Sequence, residues 1–137
     1  MITTYFLNCI SEDIFKHQET STIPYDFYLA LSSTEPNIAG ENVTEPSLDT
    51  GYARVQIDNS NEVFNEQVDS DGNITNHSKI YFQESIKPWE GITHYAIFDE
   101  PVGGNLLIYG ALNKTLNVPI KTIVSIPIDT LKISATN

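Results

Sequence analysis

Apolar residues recur with a helical period through the first seventeen positions and alternate after residue 24, and this change of period divides the chain. Phe6, Ile10 and Ile14 fall at i, i+4 and i+8, with Leu7 and Cys9 beside them and Glu12, Asp13 and Lys16 largely elsewhere on the wheel. The spacing predicts a helix over about 4–17, and Thr3 or Thr4 can cap its start. Its expected role is to cover one end of a sheet. The sharper alternative is an anchor in a partner, in which case removing residues 1–17 leaves a folded but detached domain.

From about residue 25 the pattern is that of strands. Tyr25, Phe27, Leu29 and Leu31 share one face by the two-residue period, and Asp26, Tyr28, Ala30 and Ser32 share the other, which suits a sheet with one buried face. Residues 33–50, with Pro36, Gly40 and Pro46, have no period and form a long loop of the kind that carries function. Tyr52–Ile57 is the next expected strand, Val63–Val68 a weaker one, and Ile74–Phe82 another after a turn at Asp69–Asn73. Ile92–Phe98 and Leu106–Leu112, joined by Glu100-Pro101-Val102-Gly103-Gly104, read as a hairpin. Thr122–Ile126 and Leu131–Ser134 close the pattern. These runs predict one domain over 1–137, an all-β antiparallel β-sandwich of jelly-roll or Ig-like topology. It has about seven to nine strands and one short N-terminal helix.

Charge narrows the partners. The chain carries a net charge of −11; residues 1–100 hold 17 acidic and 4 basic side chains, whereas residues 101–137 hold 3 basic and 1 acidic. With one arginine, Arg54, it is a poor binder of phosphate backbones, so no nucleic-acid partner is expected. The imbalance serves solubility, or else lets the less acidic C-terminal surface pack on an acidic neighbour. No apolar run is long enough for membrane insertion, and Glu12-Asp13 follow the apolar start too soon for a signal peptide. A lone Cys9 excludes an internal disulfide and a cysteine-rich zinc site.

No catalytic, metal or cofactor constellation emerges. His17, His77 and His94 lie in no H-x-H or HExxH spacing. By alternation His94 shares a face with Ile92, Ala96 and Phe98, where a hydrogen-bonded core histidine is the plain reading. Asp69-x-Asp71-Gly72-Asn73 resembles half a calcium loop, but Gly72 comes early and Ile80 stands where a glutamate is needed, so a turn is expected. Asp99 and Glu100 are sequence neighbours that a strand points to opposite faces. The sequons at Asn42, Asn73, Asn76 and Asn113 follow from composition. Tyr28, Tyr95 and Tyr109 lie opposite the more apolar positions of their strands; they are candidate contact residues for a neighbouring subunit or a sugar, or else fill a second layer.

Four segments in order carry a resemblance that spans nearly the whole chain. They are Tyr28-Leu29-Ala30-Leu31-Ser32-Ser33-Thr34-Glu35-Pro36, Gly51-Tyr52-Ala53-Arg54, Trp89 to Asp99, and Gly103 to Leu112. The chain resembles small bacteriophage virion proteins described as tail-fibre or structural proteins, and departs from them in its polar stretch 59–66 and its acidic loop 33–50. The resemblance implies assembly in the host cytoplasm into a virion, with no enzymatic residues and no cofactor. Its implied partners are copies of itself, a trimer suiting a fibre, and other phage tail or capsid proteins. The second functional class is a receptor- or carbohydrate-binding module reading host-surface glycan through loop 33–50 and the tyrosines. Trp89, Tyr52, Gly51, Gly103, Gly104 and Gly110 are the expected structural anchors.

Overall fold

The computed structural model describes residues 1–16, 23–24, 26–58, 73–76, 78–127 and 130–134. The expected strand at Val63–Val68, the turn containing Asp69 and Asp71, and His17, Tyr25 and His77 lie outside the described residues. Helix α1 (Thr4–Phe15) is followed by β1 (Asp26–Ser32), a 3-10 turn (Leu48–Thr50), β2 (Val55–Asp58) and β3 (Asn73–Thr75). Then come β4 (Ile80–Tyr81), β5 (Trp89–Phe98), β6 (Leu106–Val118), β7 (Ser125–Ile126) and β8 (Lys132–Ser134). The fold is all-β and antiparallel with one N-terminal helix, as the periodicity predicts, and the described residues form eight strands.

One four-stranded sheet, in the order β2-β1-β5-β6, forms the main layer. Two ribbons, β3-β8 and β4-β7, complete the described strands. The expected strand over 74–82 divides at Asn76. The Asn76 amide donates to the carbonyls of Ser78 (2.8 Å) and Pro127 (2.9 Å) and its oxygen accepts from Leu131 N–H (2.9 Å). A side chain that uses its amide this way joins the two ribbons where continuous pairing would leave it buried and unpaired.

The larger core lies on the face of the sheet that carries Leu29, Leu31, Tyr95, Ile97 and Leu107. Phe6 and Cys9 of α1 cover part of it, and Ile80, Phe82 and Leu131 from the ribbon side cover more. Covering the sheet is therefore the helix's observed role, and α1 is not a detachable appendage. Thr3 Oγ1 caps the helix at Phe6 N–H (3.3 Å) and donates to Leu106 O (2.6 Å). Residues 1–3 also lie along the edge of β6: Thr3 N–H donates to Leu107 O (2.9 Å), Tyr109 N–H to Met1 O (3.0 Å), and Ile2 pairs with Ile108. Removing the helix would uncover part of the core and free that edge, so such a truncation is expected to destabilise the remainder. The helical period also needs adjustment at its end: Ile14 is exposed, because the buried stripe runs through Phe6 and Cys9.

The expectation of one buried face is also corrected. Ala30 and Ser32 are as fully buried as Leu29 and Leu31. Ala30, Ala96, Phe98, Leu106 and Tyr109 form a second core on the opposite face, with Val43 of the long loop packed against it. Bulges break strict alternation along β5 and β6, between Trp89 and Ile92, between Ile92 and His94, and between Ile97 and Phe98. Ile92 consequently joins the larger core while Ala96 and Phe98 join the second, so the face assigned to all three by alternation does not exist.

Two glycines of the sequence pattern have steric reasons. Gly51 ends the 3-10 turn at φ +82°, and a Cβ there would stand 2.8 Å from Glu84 O. Gly110 pairs with Tyr95 across β5-β6, and a Cβ there would meet the Tyr95 ring at 2.7 Å. The empty position lets the aromatic ring lie over the neighbouring backbone.

Candidate functional site

The long loop folds back over the second face of the sheet and is held there by polar groups that its own sequence supplies. Ser33 N–H donates to Thr44 O (2.9 Å), Thr44 N–H to Ser32 Oγ (3.0 Å), and the Asn42 amide to Glu35 O (2.7 Å). At its far end Ile38 O accepts from Thr4 N–H (2.9 Å), which ties the loop to the first turn of α1.

Arg54 is the hub that joins this loop to the β5-β6 turn. Its Nε and Nη2 donate to the two Glu45 oxygens, each at 2.9 Å, a bidentate pairing that fixes both planes. Its Nη1 donates to Glu100 O and Gly103 O, both at 2.8 Å, where Gly103 and Gly104 take positive φ. The guanidinium carbon lies 3.7 Å from the centre of the Phe98 ring, a cation–π geometry. Tyr52 completes the hub: its hydroxyl donates to Glu45 Oε1 (2.6 Å) and accepts from Leu31 N–H (3.1 Å). The Gly-Tyr-Ala-Arg segment lies before β2 rather than within it, as its side chains are engaged in this network.

Electrostatics follows from that geometry. Burial pushes the Glu45 carboxyl up, but the hydrogen bonds from Arg54 and Tyr52 outweigh it and hold the group below the ordinary glutamate range. Burial, and then the bond to Glu45, holds the Tyr52 phenol well above its usual range. The arginine side chain is 7% exposed and the glutamate 25%, so the pair is largely removed from solvent. A carboxylate whose folded pKa is depressed contributes stability above its unfolded value, about 4.3, and loses it as pH falls through the folded value. We expect chemical-denaturation midpoints to hold from neutrality to about pH 5 and then fall, with Glu45→Gln flattening the acid limb. Equal acid limbs for the two proteins would refute the assignment. The second ion pair of this region, Lys87 with Asp49 at 2.6 Å, is exposed and adds little.

Beside the hub lies a cleft of about 350 Å³ lined by Glu45, Pro46, Leu48, Arg54, Val102 and Gly103. Leu48 and Val102 at its lips are among the most exposed apolar side chains of the described residues. Four of the five Arg54 N–H donors are already engaged and an aromatic face covers the guanidinium, so it offers little to an anion entering the cleft. A glutamate held this firmly ionised is a poor proton donor at neutral pH. The arrangement clamps two loops and presents an apolar rim.

The candidate contact residues separate. Tyr28 is half-buried on the second face. Tyr95 and Tyr109 are only 9% and 6% exposed, Tyr95 within the larger core and Tyr109 within the second, so they fill the layers of the fold and are not open contact residues. Strand bulges and the loop's return over the sheet, neither visible in a two-residue period, account for this. Trp89 is buried against Tyr52 and Phe82, with ring centres 5.4 and 6.3 Å away, and its indole N–H donates to Thr50 O (3.2 Å). His94 Nδ1 lies 2.8 Å from Thr93 Oγ1. Asp99 accepts from the backbone and side-chain amides of Asn105 at 2.7 and 3.0 Å, clasping the hairpin turn. Among the described residues no three His, Cys, Asp or Glu side chains gather in a metal-holding arrangement, and no helix is long and apolar enough to cross a membrane. Sequence reasoning missed Glu45; the signal present was a lone arginine in an acidic chain, which requires a carboxylate partner once buried.

A family model described as Podophage GP4 fiber I protein gp80 matches residues 1–134 of this sequence. The chain belongs to that family, a family of phage fibre proteins, and is thereby a virion component with a structural role. No curated protein matches it.

Proposed function

We propose that this podophage fibre protein is a non-enzymatic part that works by assembly, associating with copies of itself and with neighbouring tail or capsid proteins. The observation that carries this reading is the surface. On a chain of net charge −11, Phe15, Val102, Leu48 and Ile86 all stand more than two-thirds exposed. Leu48 and Val102 stand together at the rim of one cleft, and contiguous exposed apolar surface of this kind marks contact sites. The strongest buried charges, Arg54 and Glu45, are engaged in holding loops together. Light scattering of the purified protein is expected to give a multiple of the 15.3 kDa chain mass, and mass spectrometry to find the chain in purified particles. A monomer that is also absent from particles would defeat the proposal.

The cleft beside the Arg54 hub favours a second reading, a receptor- or carbohydrate-binding module presented through loop 33–50. Burial of Tyr95 and Tyr109 removes two of the three tyrosines that reading names as platforms for a sugar, and leaves half-buried Tyr28. A glycan array separates the two, since an assembly protein gives no specific signal.

A further inference from the structure

Residues 33–44 are bonded to one another more than to the rest of the molecule. Besides the bonds of Ser33 to Thr44 and of Asn42 to Glu35, Thr34 Oγ1 donates to Asn42 O (2.6 Å), Asn37 N–H to Glu41 O (3.2 Å) and Glu41 N–H to Asn37 Oδ1 (3.0 Å). Beyond the end of β1 at Ser32, one hydrogen bond among the described residues ties this unit to another element, from Thr4 N–H to Ile38 O at its tip. Within the unit only Pro36 is fully buried, and Ile38 and Ala39 are exposed.

What lies beneath is apolar. The unit meets the second core, formed by Ala30, Ala96, Phe98, Leu106 and Tyr109, through half-buried Val43 and through Gly40, where a Cβ would stand 3.7 Å from the Cβ of Leu106. At its root Glu45 is held by Arg54 and Tyr52, and the Arg54 guanidinium lies on the Phe98 ring, so the hub fastens the unit and also caps one end of the apolar face. A segment with many internal hydrogen bonds, few buried apolar contacts and one distal tie belongs to the low-stability end of a fold, where local opening precedes opening of the core.

We propose that residues 33–44 are a flap over the second face of the sheet, hinged at Ser32–Ser33 and at Glu45–Ser47, with the Glu45–Arg54 pair as its latch. Opening breaks the bond between Thr4 and Ile38 and the Val43 contact, keeps the bonds inside the flap, and uncovers Ala96, Leu106 and Tyr109 while the larger core stays closed. The two faces of the sheet are thus guarded differently. Helix α1 and the ribbon side chains seal one through apolar packing, and a latched polar segment covers the other. The device stands independently of how copies of the chain assemble.

Two reporters test it on the full chain. Hydrogen exchange followed by NMR compares Thr4 N–H, whose acceptor lies on the flap, with Thr3 N–H, whose acceptor is Leu107 O on β6. Corrected for intrinsic rates, Thr4 is expected to exchange at least about tenfold faster than Thr3, and Glu45→Gln to widen that ratio. Thiol labelling of Ala96→Cys then compares a thiol placed under the flap with Cys9 in the larger core. Adding Glu45→Gln is expected to speed labelling of the introduced thiol and to leave the rate at Cys9 unchanged. Circular dichroism checks folding; if Ala96→Cys does not fold, Val43→Ala replaces it, loosening the flap without touching the hub, and is expected to widen the Thr4-to-Thr3 ratio as well. Thr3 and Thr4 exchanging together would mean that the N-terminus peels as one piece, and overturns the flap. A ratio unmoved by Glu45→Gln overturns the latch, and an equal speeding of both thiols overturns the separate opening of this face.

Discussion

Trp89→Ala is expected to lower the unfolding free energy by about 3–5 kcal/mol, the range for large-to-small changes at buried aromatics. The indole is 1% exposed and packs edge-on against Tyr52, and its N–H reaches Thr50 O. That carbonyl also accepts from Ile86 N–H (2.8 Å), so the substitution loosens the 3-10 turn, the Gly51 corner and the start of β5 together. Trp89→Phe keeps most of the apolar volume and should cost clearly less. The chain has a single tryptophan, so urea midpoints must be read by circular dichroism rather than indole fluorescence. A cost below about 1 kcal/mol for the alanine variant would contradict the packing described.

Arg54→Ala should follow closely, at about 2–4 kcal/mol, somewhat below the range for a fully buried pair because Glu45 retains some solvent contact. The loss has three parts. Glu45 becomes an uncompensated, partly buried carboxylate; the carbonyls of Glu100 and Gly103 lose their donor; and the Phe98 ring loses the cation lying on it. Arg54→Lys restores charge but not the planar fork, and should recover only part of the loss. The diagnostic measurement is a double-mutant cycle. Adding Glu45→Gln to Arg54→Ala should cost less than Glu45→Gln costs alone, because the charge that needed Arg54 has gone. Strict additivity of the two changes would show that the pair does not couple the loop to the hairpin turn.

Much of the framework was legible in order of residues. Thr3 or Thr4 ahead of the recurring Phe6, Ile10 and Ile14 announced a capped helix over about 4–17, and the structure places it at Thr4–Phe15 with Thr3 as its cap. Apolar runs on either side of Glu100–Gly104 announced the hairpin, which pairs with Ile97 opposite Ile108 and is longer than the runs suggested. These are local signals, since side-chain periodicity reports how a segment meets a layer. The division of 74–82 between two ribbons was not legible, because Asn76 finds its partners at Pro127 and Leu131, far along the chain.

The hub was legible in half. Tyr52 and Arg54 stood out within Gly-Tyr-Ala-Arg, but Glu45 was one carboxylate among many in the acidic first hundred residues, and no local rule selects it. The fate of the tyrosines was set in the same non-local way. Tyr109 is buried where the second core forms on the face covered by Val43, and Tyr95 is buried where its ring lies over Gly110.

By itself, the sequence determined the class of this protein: one N-terminal helix, antiparallel strands, an acidic chain, and a pattern shared with phage structural proteins. Helical and strand periods, caps and turn residues act over a few positions, so they are written locally. Only the tertiary structure decided that both faces of the sheet are covered and that Arg54 joins loop 33–50 to the β5-β6 turn. Those outcomes depend on which distant segments reach the same surface, and burial is a property of that surface rather than of any residue in line.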